Sequence, residues 1–352
     1  MLLNYLLFAV GLGLLVKGGD WFVDGATGIA KRFHLPELLI GATVVSIGTT
    51  LPEVMVSATS AVSGHSEIAY GNAIGSIICN TALIAALTIA IKPAKIEKRT
   101  IKLPVIFFFI AAAFYLFIAY TGGYYSRITG IILLTVFVIY MIVTVRQALM
   151  ESKLIAAAEA GKNISSESGE KAGACEISGS EKRQTEEAGT AEDLRKMTVK
   201  NIVLLVIGAA FIAVGANLLV DKGTAIANHF GVPESVIALT FVALGTSLPE
   251  LITAITSLVK GHGALSIGNI IGANLFNLVL VSGISITLAP FSLPAGKTIA
   301  GMNASLVVDS PLMLAVMIIM TLPALIRGKL SRVQGIVLLA LYAAFCVFQF
   351  AM

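Results

Sequence analysis

Two glutamates stand inside long apolar stretches, each directly after a proline: Glu53 in Gly-Thr-Thr-Leu-Pro-Glu and Glu250 in Gly-Thr-Ser-Leu-Pro-Glu. A carboxylate near the centre of a bilayer costs at least ~2.5–3.5 kcal/mol and marks function unless a structural partner is present. Neither stretch contains a Lys or Arg. On a helix, Thr43, Ser46, Thr50, Glu53, Ser57 and Ser60 are spaced three or four apart and share one face. Thr240, Ser247, Glu250 and Ser257 repeat that stripe, with Ala243 and Ala254 as substitutions. The next apolar stretch adds Asn72, Ser76 and Asn80 at intervals of four, answered later by Asn269, Ala273 and Asn277. Hydroxyls alone fit interhelical hydrogen bonding, and Asn72 and Asn269 fit it as well as they fit ligation. Asn80 and Asn277 read as ligands, each 27 residues after its glutamate. The whole set is carboxylate, amide, hydroxyl and carbonyl oxygen. Calcium takes 6–8 such oxygens in flexible geometry, whereas transition metals prefer imidazole or thiolate. Sodium ions could compete for the same oxygens.

The prolines predict how backbone oxygen would join them. Pro52 lacks an N–H and its ring crowds the Gly48 carbonyl, and Pro249 does the same to Gly245. Helix breaks are therefore expected at Gly-Thr-Thr-Leu and Gly-Thr-Ser-Leu, baring the carbonyls of Ser46 to Thr49 and Ala243 to Thr246. Unwound backbone at membrane depth is tolerated where it lines a cavity or is buried in protein. A half-helix starting at the proline would turn its N-terminal dipole toward the glutamate and help keep it ionised.

The elements that must hold these residues come from a repeat. Shifted by 197 residues, the segment from Gly41 to His65 aligns with Ala238 to His262 without a gap. The match continues through Gly71-Asn72-Ala73-Ile74-Gly75 against Gly268-Asn269-Ile270-Ile271-Gly272. Upstream, Asp24 falls on Asp221 and Pro36-Glu37 on Pro233-Glu234. The chain of 352 residues is 57% hydrophobic and 12% charged, about half the usual charged share. Its apolar runs are continuous rather than alternating, which excludes a β-barrel. Spans are expected near 2–28, 36–62, 67–91, 103–121, 128–148, 199–224, 234–259, 264–289, 310–326 and 333–351. The fold class is thus an all-α polytopic membrane protein, ten transmembrane helices as two inverted five-helix repeats. Five spans per copy reverse the second copy's orientation, an arrangement typical of secondary transporters with a midplane site.

The organisation follows: residues 1–150 form the first repeat (motif 41–91) and 198–352 the second (motif 238–288). Between them, 151–197 holds ten of the 20 acids and no aromatic residue, and reads as a disordered linker. Alternate loops hold 20 of the 24 Lys and Arg, so the positive-inside rule places the linker in the cytoplasm and both termini outside. Leu2 to Val16 lacks a basic start and a cleavage site and reads as a retained span. Cys79, Cys175 and Cys346 make neither a disulfide framework nor a zinc spacing. The net charge of +4 records loop topology rather than a nucleic-acid partner.

These paired motifs resemble the α-repeats of the cation/calcium exchanger superfamily, in its prokaryotic sodium/calcium exchanger branch. The resemblance covers both halves and excludes 151–197. It implies an antiporter rather than an enzyme, working by alternating access, with the long first and sixth helices sliding across a fixed core. Glu53 and Glu250 would be ligands shared by Ca²⁺ and Na⁺, flanked by Asn80 and Asn277. Ser46, Thr49, Thr50 and Ser76 from one half, and Ala243, Thr246 and Ser247 from the other, would complete the sodium sites. It implies no cofactor beyond the transported ions, a lipid bilayer as surroundings, the cytoplasmic membrane as location and a functional monomer. Asn277 stands where potassium-dependent members carry an acid, and Ala273 where many carry serine, so one sodium site would differ here. A proton-driven Ca²⁺ antiporter and a calcium channel are the alternatives. A channel would need an open pore and usually a symmetric oligomer. No Ser-His pair, hydrolase motif or membrane-embedded histidine supports an enzyme. His65 and His262 read as solvated loop residues, and Asp20, Asp24 and Asp221 as partners of Lys17 and Lys222. Asn163-Ile164-Ser165 matches a glycosylation pattern, but a cytoplasmic position would leave it unused.

Overall fold

A computed structural model of the chain describes residues 2–33, 35–93, 95–167, 191–230, 245–294, 298–299 and 301–351. Among the described residues, nine helical stretches are long and apolar enough to cross a bilayer, and Leu248–Val259 is a shorter apolar helix. Residues 231–244 of the seventh expected span lie outside the described residues, Thr240 and Ala243 among them. The chain is an all-α polytopic membrane protein; among the described residues, strand is confined to two-residue ladders such as Tyr124–Tyr125 against Phe291–Ser292.

Helix α1 (Leu2–Arg32) leads to a short α2 (Glu37–Ile40), a π-helical turn (Gly41–Val45) and α3 (Ser46–Val62). Next come α4 (Ser66–Cys79), a second π-helical turn (Asn80–Ala85) and α5 (Ala86–Ile91). Then α6 (Lys98–Thr121), α7 (Arg127–Glu167) and α8 (Ala191–His229) follow. The second copy of the motif occupies α9 (Leu248–Val259), α10 (Gly263–Phe276), a π-helical turn (Asn277–Val281) and α11 (Ser282–Leu288). Helices α12 (Ser310–Arg327) and α13 (Arg332–Ala351) close the chain.

Burial orders these elements around the motif. The spans containing α4 and α10 are 72% and 83% buried, against 22% for α1 and 11% for α13. The motif asparagines therefore sit on the most enclosed helices. Each motif turns the same corner: Gly64 and Gly261 adopt φ of +83° and +84°, which only glycine reaches without strain. Helices α1 and α8 run along each other through glycine. A methyl group at Gly18 would meet the Gly208 carbonyl at 2.9 Å, and one at Gly215 would meet the Gly11 carbonyl at 2.7 Å. Backbones that close need small residues at the crossing.

The expected linker is helical at both flanks, through Glu167 on α7 and from Ala191 on α8. These flanks differ from the expected disorder because Leu154-Ile155-Ala156-Ala157-Ala158-Glu159-Ala160 is made of good helix formers. Residues 168–190 lie outside the described residues.

Candidate functional site

The two glutamates are completely buried, and so are Ser46, Thr50, Ser57, Asn80, Asn269 and Asn277, each 0% exposed. Thr49, Ser247 and Ser76 are buried as well, and Thr246 is half-buried. Ser60, the last residue of the predicted stripe, is only partly buried. The elements carrying them converge: the turn beginning at Asn277 packs on α3 and α4, and the turn beginning at Asn80 packs on α9. Each copy thus sends its asparagine toward the other copy's glutamate helix. Helices α3 and α9, which carry Glu53 and Glu250, pack on one another.

What distinguishes this cluster is unmet hydrogen bonding. All four carboxylate oxygens of Glu53 and Glu250, both amide atoms of Asn80 and of Asn277, and the hydroxyls of Thr50 and Ser247 have no partner among the described residues. Buried polar groups are nearly always paired, so each exception asks for an explanation. Among the described residues no three of His, Cys, Asp and Glu gather, so a bound cation would rely on neutral oxygens beside two carboxylates. That is hard-ligand chemistry of the calcium and sodium kind. Both asparagines open a π-helical turn, a distortion frequent at functional sites.

The proline expectation divides. In the second copy, Thr246 and Ser247 form a turn and α9 starts at Leu248 with Pro249 in its first turn. In the first copy α3 runs unbroken from Ser46 to Val62 with Pro52 inside it. The expected break at Gly48 to Leu51 is therefore corrected. The irregularity lies upstream, in the π-helical turn Gly41–Val45, where loosened carbonyls find partners. Ser46 Oγ reaches the Gly41 carbonyl at 2.8 Å, and the Tyr140 hydroxyl donates to the Ala42 carbonyl at 3.1 Å.

Around the cluster, the asparagines of α4 and α10 knit the copies together. Thr49 Oγ1 donates to Asn269 Oδ1 at 3.2 Å and Thr246 Oγ1 to Asn72 Oδ1 at 3.2 Å. Asn72 Nδ2 also donates to the Glu53 carbonyl at 3.2 Å and to Ser57 Oγ at 2.8 Å. Sequence reasoning missed Thr253 and Ser266, which are buried with unpartnered hydroxyls. Thr253 stands three residues after Glu250 and four before Ser257, so the helical spacing that found the stripe contains it.

At the end of α9 two further expectations are corrected. Lys260 Nζ lies 2.8 Å from Asp24 Oδ1 and 3.4 Å from Asp20 Oδ1, so those acids are paired across helices, while Lys17 lies over the Trp21 ring. His262 Nδ1 lies 2.7 Å from Glu37 Oε1, because α10 packs against α2 and carries the loop there. His65 remains an exposed loop residue.

The chain matches the family described as sodium/calcium exchanger protein over residues 3–146 and 200–351. It is 32% identical over 355 residues to a putative antiporter, CaxA, of Alkalimonas amylolytica, covering 99% of this chain and 98% of that one. It is 31% identical to the sodium/calcium exchanger MaX1 of Methanosarcina acetivorans, again over 99% and 98%. The sodium-calcium exchanger NCX_Mj, in a structure obtained at 10 mM Na⁺ without Ca²⁺, superposes with a TM-score of 0.73 at 30% identity, covering 97% of both chains.

Proposed function

The chain belongs to the sodium/calcium exchanger protein family, and we propose that it exchanges Ca²⁺ for Na⁺ at one central site between Glu53 and Glu250. It is a transporter of the antiporter class. The observation that carries the site is the set of completely buried, unpartnered oxygens on Glu53, Glu250, Asn80 and Asn277. Two buried carboxylates with no facing base are tolerable when a cation neutralises them. One Ca²⁺ does so fully, and Na⁺ ions can do so in turn, so competition for the same oxygens couples the two fluxes. Thr49, Thr50, Ser46 and Ser76 from the first copy, and Thr246, Ser247 and Ala243 from the second, complete the ligand set through hydroxyls or carbonyls.

The exchange proceeds by alternating access between two inverted halves. Contacts that recur with the copies exchanged support this: Gly18 on Gly208 against Gly215 on Gly11, and Thr49 on Asn269 against Thr246 on Asn72. The two long helices sit differently on the core. Gly19 of α1 packs directly on Ile252 and Thr256 of α9, whereas an apolar cavity of about 780 Å³ parts α8 from α3 beside Gly48, Pro52 and Met55. With both termini outside and 168–190 in the cytoplasm, this describes a site sealed from the cytoplasm. The protein sits in the cytoplasmic membrane, works as a monomer and needs no cofactor.

Purified protein in sodium-loaded vesicles should take up radioactive Ca²⁺ on dilution into sodium-free buffer at matched pH. Uptake driven only by a pH gradient would replace sodium with protons in this reading. Uptake needing neither counter-ion would make the protein a channel.

A further inference from the structure

The bond from Thr49 to Asn269 and the bond from Thr246 to Asn72 are the same bond made twice. Adding 197 to each residue of one pair gives the other with the copies exchanged, and both measure 3.2 Å. Each threonine stands four residues before its glutamate, one helical turn away. Each lies at the proline-disturbed turn: Thr246 in the open turn before α9, Thr49 beside Gly48, whose carbonyl has lost the N–H of Pro52. A β-branched side chain has few rotamers, so anchoring its hydroxyl fixes the local backbone too. The hydroxyl carries a single proton. With that proton directed at an asparagine, the threonine's remaining lone pairs are left to accept from, or ligate, another group.

The amide orientation of Asn72 is set by chemistry. Its Nδ2 lies against the Glu53 carbonyl, which can only accept, so Oδ1 must be the atom that takes the Thr246 proton. Asn72 thereby ties the backbone of one glutamate to the threonine preceding the other. Asn269 takes the Thr49 hydroxyl, and Ser46 Oγ lies 2.9 Å from its backbone carbonyl oxygen, so α10 is fixed to the start of α3 at both positions.

We propose that Asn72 and Asn269 are positioning residues of the exchange site, each holding the opposite copy's threonine so that ions meet a preset turn one helical turn before each glutamate. They are not themselves ligands. Outer partners of this kind typically change metal affinity 10–100-fold when removed. The reading rests on Glu53 and Glu250 being where the ions bind.

Two double-mutant cycles test it, with half-saturating Ca²⁺ and Na⁺ and maximal rate measured separately in vesicles. Asn72→Ala and Thr246→Val should each raise half-saturating Ca²⁺ roughly tenfold, and the double variant should be no worse than the worse single one. Asn269→Ala with Thr49→Val should behave likewise. The mismatched pair Thr49→Val with Asn72→Ala should be additive. Thr246→Ser and Thr49→Ser keep the hydroxyl and should recover most of the affinity that the corresponding valine variants lose. Additive effects within a matched pair would overturn the proposal. So would a lowered melting temperature with both half-saturation values unchanged, which is what interhelical glue alone would give. Should the alanine variants fail to fold, the contrast between Thr→Val and Thr→Ser decides by the same criterion. Native exchange in Glu53→Gln and Glu250→Gln would instead remove the site itself, so the two failures are distinguishable.

Discussion

The two copies of the motif share Gly-Thr-(Thr/Ser)-Leu-Pro-Glu and yet fold it differently. In the first, α3 carries Pro52 through an unbroken helix, and the irregularity sits upstream at Gly41–Val45. In the second, the motif itself opens at Thr246 and Ser247, and Pro249 lies in the first turn of α9. Proline supplies the same local strain in both motifs, yet only the second motif opens; the second copy's counterpart of Gly41–Val45 lies outside the described residues. Around the first copy, Tyr140 and Ser46 satisfy carbonyls of the upstream turn. Gly268 and Gly272 also let α10 press against Leu38 and Ala42. The lesson is that a repeated sequence fixes which residues meet and leaves to packing the backbone that presents them.

The largest expected effect tests whether the copies share one task. Glu53→Gln and Glu250→Gln should each lower sodium-driven Ca²⁺ uptake at least 100-fold, because each removes one of two charges on a desolvated divalent ion. Near-native uptake in either variant would show that one copy is dispensable. The prolines should then separate the copies. Pro249→Ala lets α9 extend backward through Thr246 and should reduce uptake by tenfold or more. Pro52→Ala restores an N–H to a helix that is already continuous. It should raise the melting temperature and leave at least half the transport, since an interior proline costs about 3 kcal/mol. Equal losses from both substitutions would erase the difference between the copies.

The all-α membrane fold, and which residues would be buried together in the candidate site, were legible in the sequence because both rest on patterns that the bilayer enforces. Continuous apolar runs gave the spans, and helical spacing put Glu53, Ser46, Thr50 and Ser57 on one buried face. The spacing of 27 residues from each glutamate picked out Asn80 and Asn277, which are buried and unpartnered. The partner of each remaining polar group was not legible. Whether Asn72 faces an ion or a threonine depends on which residue the other copy brings up, and that is a contact across 174 positions. The π-helical turns likewise have no sequence period of their own. Lys260 escaped for the same reason, since Asp24 is 236 residues away along the chain.

A smaller effect is expected at α1 and α8, where the pairing of α1 with α9 has a base and an acid that the pairing of α8 with α3 lacks. Lys260 holds Asp24 and Asp20 at the end of α9, while the position matching Lys260 in the first copy is Ser63, and those matching Asp20 and Asp24 on α8 are Asn217 and Asp221. Half-exposed ion pairs contribute ~0–1 kcal/mol, so Lys260→Ala should shift the balance between the two access states by up to about fivefold. Labelling of a cysteine introduced at Thr256 from the cytoplasmic side should rise accordingly. Ser63→Lys would give the first copy a base of its own; by drawing α8 onto α3 it should favour the opposite access state and raise the same labelling, as Lys260→Ala does. No change in either variant would leave α1 held to α9 by its apolar contacts at Gly19 alone.

The smallest effect concerns a single hydroxyl. Asn72 Nδ2 donates to Ser57, whereas the matching position in the second copy is Ala254 and Asn269 Nδ2 has no partner among the described residues. Ser57→Ala leaves an amide with one acceptor fewer and should lower stability by about 1 kcal/mol. Ala254→Ser supplies the missing acceptor and should raise it by a similar amount, because a buried donor left unpaired costs ~1–3 kcal/mol. The pair is read in thermal unfolding of the purified protein in detergent, with Trp21 as the single tryptophan reporter. Opposite signs would show that the copies differ here by one missing hydrogen bond. If both substitutions destabilise, the space beside Ala254 is too small for a hydroxyl, and packing rather than bonding separates the two copies at this level.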